Sequence, residues 1–250
     1  MHKVDILGVQ VDVIDTDGLH TAIEGSVLQN RRDVYAYVNI NAINIAHENE
    51  RFKEFLNNSH VVYCDGEGVR LGARMLGYHL PPRVVLTYWI WELCELFEKR
   101  KFSVFFLGAT EQYVEEAVGR VRQRFPEIVI AGWHHGYFEK TGAENEAVVE
   151  MINSARPNIL IVGFGMPAQE MWIEENLSRL PANVILPAGS MIDYTAGRKG
   201  LAPKWMADNG MEWLYRFLQE PGRLWKRYLI GNPSFMYKIA REYLRKGTQR

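Results

Sequence analysis

The sequence predicts an α/β fold: a mostly parallel sheet flanked by helices on both faces, followed by a basic C-terminal helical appendage. Three observations predict it. Short apolar runs, several without polar alternation, recur along the first four-fifths of the chain, as strands buried on both faces require. Amphipathic segments of helix length lie between them, and this alternation marks a parallel sheet with crossover helices. After about Ala196 the pattern turns to helix only, which divides the chain into a body, residues 1–197, and an appendage, residues 198–250.

In chain order, strands are expected over Val4–Leu7, Val34–Asn39, His60–Cys64, Ser103–Leu107, Ile128–Trp133, Ile159–Val162 and Val184–Pro187. Helices are expected over Gly18–Leu28, Gly68–Leu76, Trp89–Lys99, Gln112–Arg124, Glu144–Ser154 and Gln169–Leu177. In the tail, Ala202-Pro203, Glu220-Pro221 and Asn232-Pro233 each mark a break or a helix start, which predicts two or three short helices. A length of 250 residues and a hydrophobic content of 47% fit one large domain with a small addition. No apolar run has the length of a signal peptide or approaches the ~20 residues of a membrane-spanning helix. Cys64 and Cys94 form neither a disulfide framework nor a CxxC pair, so a reducing cytoplasm is expected.

The net charge of −1 conceals an uneven distribution. Residues 1–197 carry 17 Lys/Arg against 26 Asp/Glu, whereas residues 198–250 carry 12 against 4. A basic tail on an acidic body suits an anionic partner: nucleic acid, an anionic membrane or a phosphorylated ligand. The tail also holds Trp205, Trp213, Tyr215, Phe217, Trp225, Tyr228, Phe235, Tyr237 and Tyr243. Aromatic rings beside Lys and Arg suit the headgroup depth of a bilayer, and they can also stack on bases. The plain alternative is a helical segment that packs its rings inward and solvates its charges.

Ligands of open parallel sheets bind at the carboxyl ends of the strands. The second strand closes on Asn39-Ile-Asn41, two amides able to orient a sugar or a uracil, unless Asn41 caps the helix that follows. The third closes on Asp65-Gly-Glu-Gly68. A carboxylate there can take the proton of an incoming hydroxyl, and Gly66 and Gly68 let backbone N–H groups face a diphosphate. An Asp-Gly turn with Asp65 as a cap reads the same way. Gly163-Phe-Gly-Met-Pro-Ala-Gln-Glu170 is a further glycine turn running into a helix. It lacks the third glycine of a dinucleotide fingerprint, and Val184–Pro187 supplies no acidic residue to complete one. Asp193 follows the last strand as a ligand contact or a cap, and Ser190 lies outside any G-x-S-x-G elbow. His134-His135 invites a metal, but adjacent side chains diverge and no third ligand has suitable spacing. No D-x-D pair stands at these strand ends, so no metal site and no cofactor are expected.

In this order the segments resemble the WecG/TagA/CpsF glycosyltransferases over nearly the whole chain. The matching stretches are Val61–Gly68, Leu80-Pro-Pro-Arg83, Phe106-Leu-Gly-Ala109, Gly163–Glu170 with Trp172-Ile173, Pro203-Lys-Trp205, Glu212–Pro221 and Arg227–Pro233. The resemblance implies a Rossmann-like catalytic body and transfer of a sugar, with inversion and without a metal. The donor it implies is a UDP-sugar and the acceptor an undecaprenyl-diphosphate-linked glycan. It implies that Asp65 is the general base, that Gln169 contacts the reacting sugar or leaving group, and that Arg83 meets a donor phosphate or a substrate carboxylate. The appendage arginines correspond to Arg216 and Arg223, with Lys226 where an arginine is usual; a lysine keeps charge but loses bidentate geometry. Gly108, Gly163, Gly165, Glu170 and Asp193 complete the expected substrate-binding set, with Asn41 matching the Asn of a T-x-N motif and Asn39 replacing its Thr. UDP-N-acetylmannosamine is the best-known donor of the family, and UDP-glucose or a UDP-uronic acid stay open.

Such an enzyme is expected to lie on the inner face of a bacterial plasma membrane, with no nucleic-acid partner. A soluble form is expected to self-associate through the apolar face that the appendage covers. The rival readings are a nucleotide-dependent oxidoreductase on the same architecture and a nucleic-acid-binding protein using the tail.

Overall fold

The computed structural model of the chain describes residues 2–208 and 210–247; Met1, and residues 209 and 248–250 of the expected appendage, lie outside the described residues. A short antiparallel hairpin, β1 (Lys3–Ile6) and β2 (Val9–Asp12), precedes the main sheet. That sheet comprises β3 (Asp33–Val38), β4 (Val61–Cys64), β5 (Ser103–Gly108), β6 (Val129–His134), β7 (Ile159–Gly163) and β8 (Val184–Pro187). Its spatial order is β4-β3-β8-β7-β5-β6, with every neighbouring pair parallel. The chain lays β3 and β4 toward one edge, crosses to start β5 and β6 at the other, and returns to fill the middle with β7 and β8. The reversal opens a crevice at the carboxyl ends of the central strands.

Nine helices of the described body connect these strands: α1 (Thr16–Leu28), α2 (Ile40–Glu48), α3 (Glu50–Asn58), α4 (Glu67–Met75), α5 (Leu86–Arg100), α6 (Glu111–Arg124), α7 (Gly142–Ala155), α8 (Ala168–Asn176) and α9 (Met191–Thr195). Alternate strand residues feed two separate cores. Val34, Ala36, Val62, Phe105, Leu160 and Ile185 pack against α2, α3, α4, α7 and α8. Tyr35, Val61, Tyr63, Phe106, Ile161 and Leu186 pack against α1, α5, α6 and α9. Burial on both faces is why these strands read as continuous apolar runs. At the site end of the sheet, a Cβ on Gly108 would come within 2.5 Å of the Gly163 carbonyl oxygen, so only glycine allows β5 and β7 to approach there.

The structure departs from the sequence expectations in three places. The run around Val4–Leu7 is one arm of a hairpin outside the parallel sheet, turning at Leu7 and Gly8, both with positive φ. Asp12 at its end accepts the Val62 N–H at 2.8 Å and so satisfies a donor on the edge strand β4. Two helices, α2 and α3, fill the segment after β3, where the sequence expectation places no helix bounds. Asn39 rather than Asn41 caps the first of them, accepting the Ala42 N–H at 3.2 Å.

The third departure is in the tail, which contains α10 (Lys204–Asp208), α11 (Glu212–Gln219) and α12 (Pro221–Trp225). Pro221 does break the helix and starts the next one at its first position. Asn232-Pro233 does not. From Pro221 the chain stays helical through a π turn, Lys226–Ile230, into α13 (Gly231–Gly247). Pro233 has no N–H and its ring crowds the carbonyl four residues back, and the widened turn just before it takes up that conflict. The helix α13 lies on α2 and α4, burying Phe235 and Ile239 completely. Gly72 on α4 makes the seat, since a Cβ there would meet the Phe235 ring at 2.7 Å. Phe235→Ala is expected to weaken this seat by about 3–5 kcal/mol, as for other buried aromatic truncations. Limited proteolysis checks it: rapid cleavage within residues 221–247 is expected, and wild-type resistance would contradict the seating.

Candidate active site

The carboxyl ends of β3, β4, β7 and β8 converge with the appendage on a cavity of about 450 Å³. The sheet side contributes Tyr37, Asn39, Asp65, Gly163 and Gly189, and the appendage contributes Arg216, Glu220, Arg223 and Arg227. A second cavity of about 360 Å³ adjoins it and shares Asn39, Asn41, Asp65, Arg216 and Arg227 with the first. Its remaining lining includes Gly66, Gly68, Arg83, Glu212 and the half-exposed apolar side chains of Leu71 and Trp213. Asp65 therefore stands at the boundary of two spaces.

Asp65 is the first residue after the buried strand β4, and its own N–H is held by the Val38 carbonyl at 2.9 Å. Asn39 turns its oxygen to cap α2 and its Nδ2 toward Asp65 Oδ2 at 3.3 Å. Burial raises the Asp65 carboxyl above its ordinary value; Arg216, Asn39 and Arg83 pull it back, while Glu212 pushes it further up. A carboxylate raised in this way and facing open space has the character of a general base.

Cations surround it from the appendage side. Glu212 accepts from Arg83 at 2.9 Å and meets Arg216 at 2.5 Å, while Arg83 also donates to the Ala207 carbonyl at 3.0 Å. The Arg216 guanidinium lies 5.1 Å from the centre of the Tyr194 ring. Arg223 pairs with Glu220, which Lys199 also approaches at 3.6 Å. Asp193 lines the larger cavity, held above its ordinary value by burial against the opposing pull of Lys199 and Arg223. Lys226 is exposed, sits 5.6 Å over the Trp225 ring and lies outside both cavities; Arg227, the next residue, lines both.

Three expected residues stand behind the wall rather than in it. Gln169 is fully buried, its Oε1 accepting the N–H groups of Gly165 at 3.1 Å and Gly189 at 2.9 Å. Its Nε2 donates to Glu170 at 2.8 Å. One side chain thus ties together the two glycine turns that line the cavity. Glu170 is 1% exposed, its second oxygen has no hydrogen-bond partner among the described residues, and burial pushes its carboxyl up to about 7. Gly108 lies beneath Ala109, which does reach the cavity. Among the described residues no group of three or more His, Cys, Asp or Glu is placed to hold a metal ion. The rings of His134 and His135 lie 4.3 Å apart, with His134 Nδ1 bonded to the His135 carbonyl.

Residues 4–249 match the family described as Glycosyl transferase WecG/TagA/CpsF family. The chain belongs to the WecG/TagA/CpsF glycosyltransferase family. It is therefore an enzyme that transfers a glycosyl group, and the oxidoreductase reading falls. Among its curated relatives is the N-acetylglucosaminyldiphosphoundecaprenol N-acetyl-beta-D-mannosaminyltransferase of Staphylococcus aureus strain MW2, 33% identical over 96% of this chain and 92% of the relative. The enzyme of that name from strain MRSA252 is 32% identical over the same shares.

Arg227, Glu212 and Tyr37 line these cavities as well, beyond the residues expected from the sequence. The available signal for Arg227 is its place beside Lys226 in a basic tail. The buried acid Glu170 sets a pH test. It holds its proton more tightly when folded than its ordinary value of 4.5 allows in the unfolded chain. Its contribution to stability is therefore complete at low pH and declines as pH rises from about 4.5 toward about 7. Glu170→Gln fixes the neutral state, so urea midpoints of the variant should decline less than wild type across that window; parallel profiles would contradict the buried acid.

Proposed function

We propose that this enzyme moves a hexose-type sugar, with inversion and without a metal ion, from a UDP-sugar to an undecaprenyl-diphosphate-linked acceptor in cell-surface polysaccharide or teichoic acid synthesis. The observation that carries the reading is Asp65 on the wall shared by two cavities. The larger cavity suits the donor, since glycine turns offer backbone N–H groups and the appendage offers arginines to a diphosphate. The smaller one, with Leu71 and Trp213 in its lining, suits an acceptor that is part sugar and part lipid.

In this reading Asp65 takes the proton of the acceptor hydroxyl as its oxygen bonds to the anomeric carbon. The bond from that carbon to the diphosphate oxygen breaks, and UDP leaves with the electron pair. Arg216, Arg223 and Arg227 meet the charge that develops on it. A β product from an α-linked nucleotide sugar is the stereochemistry that a single displacement gives. The relatives' names specify a beta-linked N-acetylmannosaminyl product on N-acetylglucosaminyl-diphosphoundecaprenol, which supports UDP-N-acetylmannosamine as the donor to try first. UDP-glucose and UDP-uronic acids are the alternatives.

The appendage is proposed to rest on the anionic inner face of the plasma membrane. It exposes Leu218, Trp225, Leu229 and Ile230 beside Lys226, and no helix of the described residues is long and apolar enough to cross a bilayer. Each basic side chain near anionic lipid adds about 1 kcal/mol, so a few suffice for reversible attachment. With α13 seated, Phe235 and Ile239 are covered, and self-association through that face is proposed only for a displaced appendage.

Asp65→Asn tests the chemistry. Transfer from UDP-N-acetylmannosamine to polyprenyl-diphosphate-linked N-acetylglucosamine, followed by mass spectrometry, is expected to fall by ~10²–10⁴ with UDP affinity unchanged. Wild-type turnover in the variant would remove Asp65 from the reaction.

A further inference from the structure

Glu212 opens α11 and is 6% exposed. Its two oxygens face different parts of the molecule. One accepts from Arg83, which stands on the segment joining α4 to α5; the other meets Arg216, one turn further along α11. The second terminal nitrogen of Arg83 donates to Ala207 in α10, so that one fork from the body grips the appendage at two points. Breaking even is the usual fate of a buried ion pair, because desolvation cancels most of the attraction. A buried carboxylate bridging two guanidiniums beside a reactive carboxyl therefore gains little as a stability device, and its value lies in placement.

The groups that face Asp65 support this. From the sheet come Tyr37 on β3, and Tyr63 and Cys64 on β4, all pushed upward by burial and so uncharged through the neutral range. Asn39 donates a hydrogen bond. From α11 come Arg216 and Glu212, from the α4–α5 segment Arg83, and from the π turn Arg227. Glu67 at the start of α4 is paired with Arg70. Glu212 is thus the anion set against the two arginines that act on Asp65.

We propose that Glu212 is a positioning residue for glycosyl transfer, clamping Arg83 of the body and Arg216 of the appendage beside Asp65 and offsetting their charge there. The role rests on the transfer reading, in which Asp65 is the base. Without the Glu212 charge the arginines act unopposed. Asp65 then holds its proton less tightly and becomes a weaker base, while the site becomes more attractive to a diphosphate. A clamp that served the fold alone would loosen substrate binding and leave the titration of Asp65 where it was.

The test uses the full-length enzyme with Glu212→Gln and Glu212→Asp. Asp65 is titrated by carbon-13 NMR of its carboxyl, assigned by its loss in Asp65→Asn, and rates are measured from acid to neutral pH. In Glu212→Gln the Asp65 midpoint and the acid limb of kcat are both expected about one pH unit lower. The rate at the optimum should fall about tenfold while the donor KM does not rise. Glu212→Asp keeps the charge but is too short to bridge both guanidiniums, so its Asp65 midpoint stays near wild type while kcat falls about tenfold. An unshifted Asp65 midpoint in folded Glu212→Gln overturns the proposal. If that variant does not fold, wild-type kcat in Glu212→Asp overturns it. The NMR titration needs no turnover, so a wild-type enzyme that transferred no sugar would sink the transfer reading while the midpoints still decide the role of Glu212.

Discussion

A parallel sheet buried on both faces leaves its polar chemistry nowhere to go but the strand ends, and the rest of this molecule follows from that constraint. Alternate side chains of β3, β4, β5, β7 and β8 are committed to two hydrophobic cores, so the residues free to meet a ligand are those just past the last strand hydrogen bond. Asn39, Asp65, Gly163 and Gly189 are those residues. The turns at Gly165 and Gly189 are held from behind by Gln169, which trades its exposure for bonds to both.

The sheet end alone is acidic and polar, and the cations come from elsewhere. Arg216, Arg223 and Arg227 reach the cavity because α13 is seated by Phe235 in the notch at Gly72 and because Arg83 grips α10 and α11. Apolar packing far from the chemistry and a charged bridge close to it thus act on the same assembly. The uneven charge along the chain is the linear trace of that arrangement: an acidic body that carries Asp65, and a basic segment laid across it.

Much of this is legible in the sequence, and the omissions have physical causes. The sheet strands other than the partly exposed edge strand β6 can be read because burial on both faces makes each a continuous apolar run. The hairpin cannot, because it turns on a leucine at positive φ, a residue type that does not announce a turn. Helices α2 and α3 blur together because a single residue, Asn49, both ends one and caps the next. That Asp65, Asn39, Arg216 and Arg223 line one cavity is legible from the strand-end rule together with the family resemblance. Gln169 is found in place but not in its bonding, since Gly189 lies 20 residues away in sequence. Glu212 and Arg83 are 129 residues apart, and no local pattern pairs them. Arg227 and not Lys226 lines the cavities, and the two stand side by side in a basic tail where sequence alone does not separate them.

That the body and the appendage form one catalytic site is tested most directly by Arg216→Ala, assayed with a short-chain, water-soluble acceptor so that membrane attachment plays no part. Arg216 comes from the appendage, yet it faces Asp65 of the body. A composite site predicts a loss of about 10²–10³ in kcat in a folded protein that still binds anionic vesicles, the scale seen when one preorganised charge stabiliser is removed. Turnover within about twofold of wild type, far short of that loss, would contradict it and leave the appendage as an anchor alone.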